Sequence, residues 1–223
     1  MSDLKKFQVQ NARPLPVIVL ADTSASMSED GNIGVLNGCL KEMIASFATE
    51  SRLRAEIHVS VIAFGGDNAE IILPLTPAHQ VEGDLQLKAE GMTPLGSALT
   101  LASGLIENKE LIPSRAYKPL VILLSDGYPN DVWEGPFERF QRDERSSKVT
   151  RFAMAIGPAA DEEMLSDFAN DPEAPLFRGE NARDIHRFFR AVTMSVSARS
   201  QSAKPNQSTP LQIPENNDED WEF

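Results

Sequence analysis

Three short stretches of this sequence carry oxygen-bearing side chains at spacings that could do chemistry. The first is Asp22-x-Ser24-x-Ser26, where an apolar run stops at one carboxylate and Thr23, Ser24, Ser26 and Ser28 follow it. A carboxylate and two hydroxyls at alternating positions of a tight loop can converge on one hard cation, which prefers oxygen ligands. One of the serines could instead simply cap the helix that follows. The second stretch is Thr93 in Gly91-Met-Thr-Pro-Leu-Gly96, and the third is Asp126 in Ser125-Asp126-Gly127.

These groups need elements to position them. Residues 15–21 are apolar and rich in Val and Ile, which predicts a strand buried on both faces with Asp22 at its carboxyl end. Residues 119–124 are the most apolar run in the chain and predict a second such strand, tipped by Asp126. Further strands are expected over 56–64 and 149–156, with a short extended piece at 176–178. Gly65 and Gly66 mark a turn, after which 69–75 returns as a hairpin strand. Pro74 places that strand at a sheet edge or ends it there. Helices are expected at about 34–50, 94–112, 136–147, 161–169 and 181–198, with Thr93 as the cap of the second. Cys39 lies on the apolar stripe of the first helix, a core position rather than a reactive one. The alternation of strands and helices brings all three stretches to strand ends or helix starts on one rim, where ligands bind in open α/β sheets.

Composition bounds the rest. A chain of 223 residues with 41% hydrophobic and 24% charged residues suits one soluble domain with a substantial core. Residues 1–13 read as a short arm, 14–197 as the domain and 198–223 as a disordered acidic tail, too poor in apolar side chains to offset its ordering entropy. A formal net charge of −12 argues against nucleic acid and against an anionic membrane surface. A single cysteine, no apolar run of about 18 residues and no signal-peptide core lead to the expectation of a cytoplasmic protein.

Hydrolysis would require a general base beside the carboxylates. His58 lies in a strand, His79 in a loop and His186 in the last helix, none beside Asp22 or Asp126 in sequence. No G-x-x-x-x-G-K-[ST] phosphate loop occurs. The expectation is therefore a binding protein rather than an enzyme. The alternative is a metal-dependent phosphoryl-transfer domain of receiver type, or a phosphoesterase. A receiver would need adjacent acidic residues after the first strand, whereas here a single Asp22 is followed by hydroxyls. Tyr128, Asn130, Asp131 and Trp133 follow the second aspartate and are candidate partner contacts on the same rim.

Asp22-x-Ser24-x-Ser26, Thr93 in Gly-x-Thr-Pro-x-Gly, and Ser-Asp126-Gly, in that order, resemble the von Willebrand factor A family and its metal-ion-dependent adhesion site. The resemblance covers about residues 14–197. It implies a doubly wound, mostly parallel α/β sheet of six strands with one antiparallel edge strand and helices on both faces. Ala69–Leu75 is the candidate for that edge. It further implies a metal site of Asp22, Ser24, Ser26, Thr93 and Asp126 for Mg²⁺, with Mn²⁺ or Ca²⁺ as alternatives. A partner protein would supply an Asp or Glu to the ion. More narrowly, Arg13-Pro-Leu-Pro-Val, Phe64-Gly-Gly and Ser125-Asp-Gly-Tyr-Pro-Asn-Asp131 look like bacterial tellurite-resistance proteins of the TerY-like type. That likeness implies a stress-response or phage-defence setting with a PP2C-like phosphatase and a Ser/Thr kinase-like protein as partners.

Overall fold

Between Leu15 and Ala21 no side chain needs water, so the strand they form must be covered on both faces. The computed structural model describes residues 12–170, 172, 176–207 and 211. Strand β1 (Arg13–Asp22) is buried from Pro14 onward and lies in the middle of a six-stranded sheet. Parallel to it run β2 (Ala55–Gly65) on one side and β4 (Leu120–Ser125) on the other. The parallel strands β5 (Thr150–Ile156) and β6 (Phe177–Gly179) extend the sheet beyond β4. Strand β3 (Asn68–Pro77) turns back antiparallel along β2, which gives the order β3-β2-β1-β4-β5-β6. Pro74 falls between Leu73 and Thr76, where the pairing with Val59 and Val61 shifts register. An edge strand with a bulge tolerates the missing donor.

Helices α1 (Asn32–Thr49) and α5 (Ala182–Gln201) cover one face. There Leu15, Val17, Val19 and Ala21 pack with Leu36, Leu40 and Phe188. On the other face lie α2 (Leu95–Glu107), α3 (Glu134–Arg142) and α4 (Glu162–Phe168), and Ile18 and Leu20 join Leu99, Phe140 and Leu165. Cys39 is buried in the first layer, as its place on the stripe predicts, and its thiol lies 3.3 Å from His186 Nδ1. Among the described residues no helix is long and apolar enough to cross a membrane.

The topology creates the site's position. From β1 the chain passes through α1 to β2 on one side, then crosses from β3 through α2 to β4 on the other. The carboxyl ends of β1 and β4 therefore flank the point where strand order reverses, and connections leaving in opposite directions open a crevice there. Asp22 ends β1, and Asp126 follows the last residue of β4.

Several boundaries differ from those the periodicity predicts. Helix α2 stops at Glu107 because Asn108 accepts hydrogen bonds from the amides of Glu110 (2.8 Å) and Leu111 (3.3 Å), a turn that competes with the helix. Arg13, expected in the arm, is the first residue of β1, and its guanidinium rests 4.1 Å from the centre of the Tyr117 ring. The expected disordered tail does not begin at 198. Helix α5 continues to Gln201, and the buried Arg199 donates to the carbonyls of Pro205 (3.1 Å) and Lys118 (2.9 Å). Asn206 Oδ1 in turn accepts the Lys118 amide at 2.8 Å. Composition shows a polar segment; it does not show that one cation can satisfy two carbonyls at the base of β4. Residues 1–11, 208–210 and 212–223, and with them most of the expected arm and tail, lie outside the described residues.

Candidate metal centre

Asp22 is fully buried, and both of its carboxylate oxygens have protein donors. Oδ1 accepts the Ser24 amide at 2.8 Å and Oδ2 accepts the Ser125 hydroxyl at 2.5 Å. The first bond folds the chain sharply as it leaves β1, so that Ser24 and Ser26 face the tip of β4. There Asp126 Oδ1 accepts Ser26 Oγ at 2.8 Å and Ser24 Oγ at 3.4 Å, while the two hydroxyl oxygens are 3.0 Å apart. Three oxygens from segments 100 residues apart in sequence thus form a small triangle.

The third segment is tied to the first by backbone bonds. Ala25 N donates to Gly91 O (3.1 Å), and Glu90 N donates to Thr23 O (2.9 Å). The Gly66 amide donates to Glu90 O (2.8 Å), and Met92 N donates back to Gly66 O (3.2 Å). This stitching depends on glycine. A Cβ on Gly65 would meet Thr23 O at 2.3 Å, and one on Gly91, where φ is +65°, would meet Gly66 Cα at 2.4 Å. Thr93, two residues beyond Gly91 on the loop bonded to the first segment, is buried. Among the described residues no hydrogen bond joins its hydroxyl to the other four candidates.

Thr93 does not cap α2. Asp131, from the loop after β4, does so instead: Oδ1 accepts the Gly96 amide at 2.9 Å and Oδ2 accepts that of Ser97 at 3.0 Å. A carboxylate across two free amides at a helix start satisfies more donors than one hydroxyl and complements the helix dipole. Asn130 braces the same junction, its Oδ1 accepting the Thr93 amide (3.0 Å) and its own amide donating to Thr93 O (3.2 Å). Asn130 and Asp131, expected as partner contacts, are thus engaged in holding the Thr93 loop. Trp133, expected beside them, is partly buried; it packs on the second core layer with its ring 5.9 Å from that of Phe137. Of that group Tyr128 stands free, 68% exposed. Ser125 is the contributor that sequence reasoning missed. Its place at the end of β4, in register beside β1, was the available signal.

Burial pushes the Asp22 carboxyl up to about 6, against hydrogen bonds from Ser125 and Ser24 that lower it, and the nearby Asp126 adds to the rise. Burial likewise raises Asp126, opposed by Ser26 and Ser24. Two carboxyls held above their ordinary range beside three hydroxyls form an all-oxygen set that a cation would relieve. The set also fits by size. A Mg–O length of about 2.1 Å puts neighbouring octahedral oxygens about 3.0 Å apart, and the triangle's edges are 2.8, 3.0 and 3.4 Å. Among the described residues no group of three or more His, Cys, Asp and Glu side chains could hold a metal, so any ion here relies on hydroxyls. The histidines make their contacts elsewhere: His58 with Glu56 (2.9 Å), His79 4.0 Å from Glu56, and His186 with Cys39.

The model of the von Willebrand factor type A domain family matches residues 17–191. Among curated proteins, the Magnesium-chelatase 60 kDa subunit of Cereibacter sphaeroides is 31% identical over 177 residues, 78% of this chain and 29% of that protein. The subunit of the same name from Rhodobacter capsulatus is 33% identical over 134 residues, 59% of this chain and 23% of that protein. The chain therefore spans less than a third of the length of these relatives. Among solved structures, the von Willebrand factor type A protein from Catenulispora acidiphila superposes with a TM-score of 0.65 at 21% identity, over 82% of this chain and 42% of that one. The pilus adhesin SpaC from Lactobacillus rhamnosus GG gives 0.68 at 14% identity, over 86% of this chain and 31% of that one.

Proposed function

The chain belongs to the von Willebrand factor type A domain family, and from that premise we propose that it is a metal-dependent protein-binding module rather than an enzyme. Its ion site is an adhesion-type one, with Ser24, Ser26 and Asp126 as the nearest donors, Thr93 contributing from the loop bonded to theirs and Asp22 positioning the first loop. The observation that carries this reading is the Ser24–Ser26–Asp126 oxygen triangle at the strand-order reversal. The triangle's edges are nearer the spacing of Mg²⁺ ligands than the wider spacing that Ca²⁺ lengths of about 2.3–2.6 Å require, so Mg²⁺ is the ion proposed. Three hydroxyls and one nearby carboxylate leave an octahedral ion with vertices for water, and a partner's Asp or Glu can replace one. The curated relatives are named as subunits, which supports a role in an assembly.

The setting proposed is a bacterial cytoplasmic stress-response or defence complex of the tellurite-resistance type, in which the module scaffolds a PP2C-like phosphatase or kinase-like partner. Its support is the likeness of the Phe64-Gly65-Gly66 and Ser125–Asp131 stretches, both of which build the rim.

Titration calorimetry of the full chain with Mg²⁺ tests the module reading, with Asp126→Ala beside it. The expected result is a single binding event in the wild type that the variant loses. Equal heats from both proteins, or none from either, sink it.

A further inference from the structure

Seven large apolar side chains among the described residues are exposed, and three of them, Met92 (56%), Tyr128 (68%) and Val132 (80%), lie on the two loops that flank the oxygen triangle. Met92 immediately precedes Thr93, Tyr128 is two residues past Asp126, and Val132 follows the Asp131 that caps α2. The Thr93–Asn130 and Asp131–Gly96 bonds join these loops, so the three side chains stand on one braced frame. Nothing in the fold of the described residues requires them to be apolar, because none belongs to either core layer.

We propose that Met92, Tyr128 and Val132 form an apolar collar that selects a partner segment whose ion-binding Asp or Glu is flanked by large apolar side chains. The inference rests on the metal reading above and adds to it the neighbours of the partner's carboxylate. Charge and exposure combine. A chain of net charge −12 disfavours further acidic side chains beside the partner's carboxylate, and against Met92, Tyr128 and Val132 apolar flanks remove the most surface from water. An aromatic such as Tyr128 at the centre of such a contact is a frequent source of binding energy.

The test uses the full chain with saturating Mg²⁺ and two short synthetic peptides. Each carries one aspartate, flanked by glycines in one peptide and by phenylalanines in the other. The phenylalanine peptide should bind about tenfold more tightly, the ratio given when roughly 60 Å² of apolar surface leaves water. In the triple variant Met92→Ser, Tyr128→Ser, Val132→Ser the ratio should fall to about one, with Mg²⁺ affinity and the circular-dichroism melt unchanged. Should that variant melt early, Tyr128→Ser alone is read for the same loss of preference. Peptides that bind the wild type alike, or not at all, while Mg²⁺ binds normally overturn the collar alone. Absence of Mg²⁺ heat before any peptide is added overturns the metal reading beneath it.

Discussion

Ser26 Oγ lies 2.8 Å from Asp126 Oδ1, a contact between the loop after β1 and the tip of β4. Ser26→Ala removes one of the three triangle oxygens and one neutral-to-charged hydrogen bond. We expect Mg²⁺ affinity to fall at least about tenfold, equivalent to about 1.4 kcal/mol. The metal-free protein should lose no more than about 1.5 kcal/mol, because Asp126 keeps Ser24 and water as donors. Calorimetry and urea unfolding separate the two effects. Unchanged Mg²⁺ affinity would remove Ser26 from the site.

Acidity should act on the metal-free and metal-loaded protein in opposite directions. Without metal, Asp22 has a folded pKa of about 6 against 3.8, so its contribution is fully present below about 3.8 and is lost as pH rises through 6. The gap is worth about 3 kcal/mol at most. Mg²⁺ competes with those protons, so the rise in Tm that it produces should be small near pH 5 and large near pH 7.5. Differential scanning fluorimetry with Mg²⁺ or EDTA across that range measures it. A Tm rise independent of pH would place the ion away from both Asp22 and Asp126, whose carboxyls are both raised.

The cap of α2 is separable from the ion. Asp131→Ala leaves the Gly96 and Ser97 amides without their shared acceptor and should cost about 2 kcal/mol of stability. Asp131→Asn, which keeps one acceptor oxygen, should recover part of the loss in chemical denaturation. If both variants unfold like the wild type, the cap contributes nothing.

Gly65→Ala tests the stitching between loops. The added Cβ would sit 2.3 Å from a backbone oxygen that cannot swing away, so the loss should be about 2–3 kcal/mol, with weaker Mg²⁺ binding as Thr23 moves. Gly127→Ala, where no atom lies within 4 Å of the added Cβ, is the matched control. Comparable melting of both variants would show that the approach at Gly65 is not tight.

Asp22 and Asp126 were legible in the sequence because each stops a run so apolar that only a doubly covered strand could hold it. The edge position of β3 was legible from Gly65-Gly66 and Pro74. The cap of α2 was not, because Thr93 fits the local rule and the winner, Asp131, arrives through tertiary folding from the far side of β4. The same holds for Arg199, whose carbonyl partners on Pro205 and Lys118 lie on two separate segments. Ser125 lies just past the apolar run of 119–124 that predicts the strand; it is the last residue of β4, and its bond to Asp22 follows only from β1 and β4 lying side by side. Local pattern located the carboxylates; which hydroxyls and amides surround them followed from strand order.

That strand order also bears on how the protein comes apart. The oxygens that meet around Asp126 come from opposite sides of a 100-residue stretch of chain, closed only when β1, β2 and β4 are in register. Bringing them together closes a loop of that length, which costs chain entropy before the contact stabilises anything. An ion that recognised only the finished sheet would not hasten folding. It would act as a latch on the native state, lengthening its lifetime by slowing unfolding.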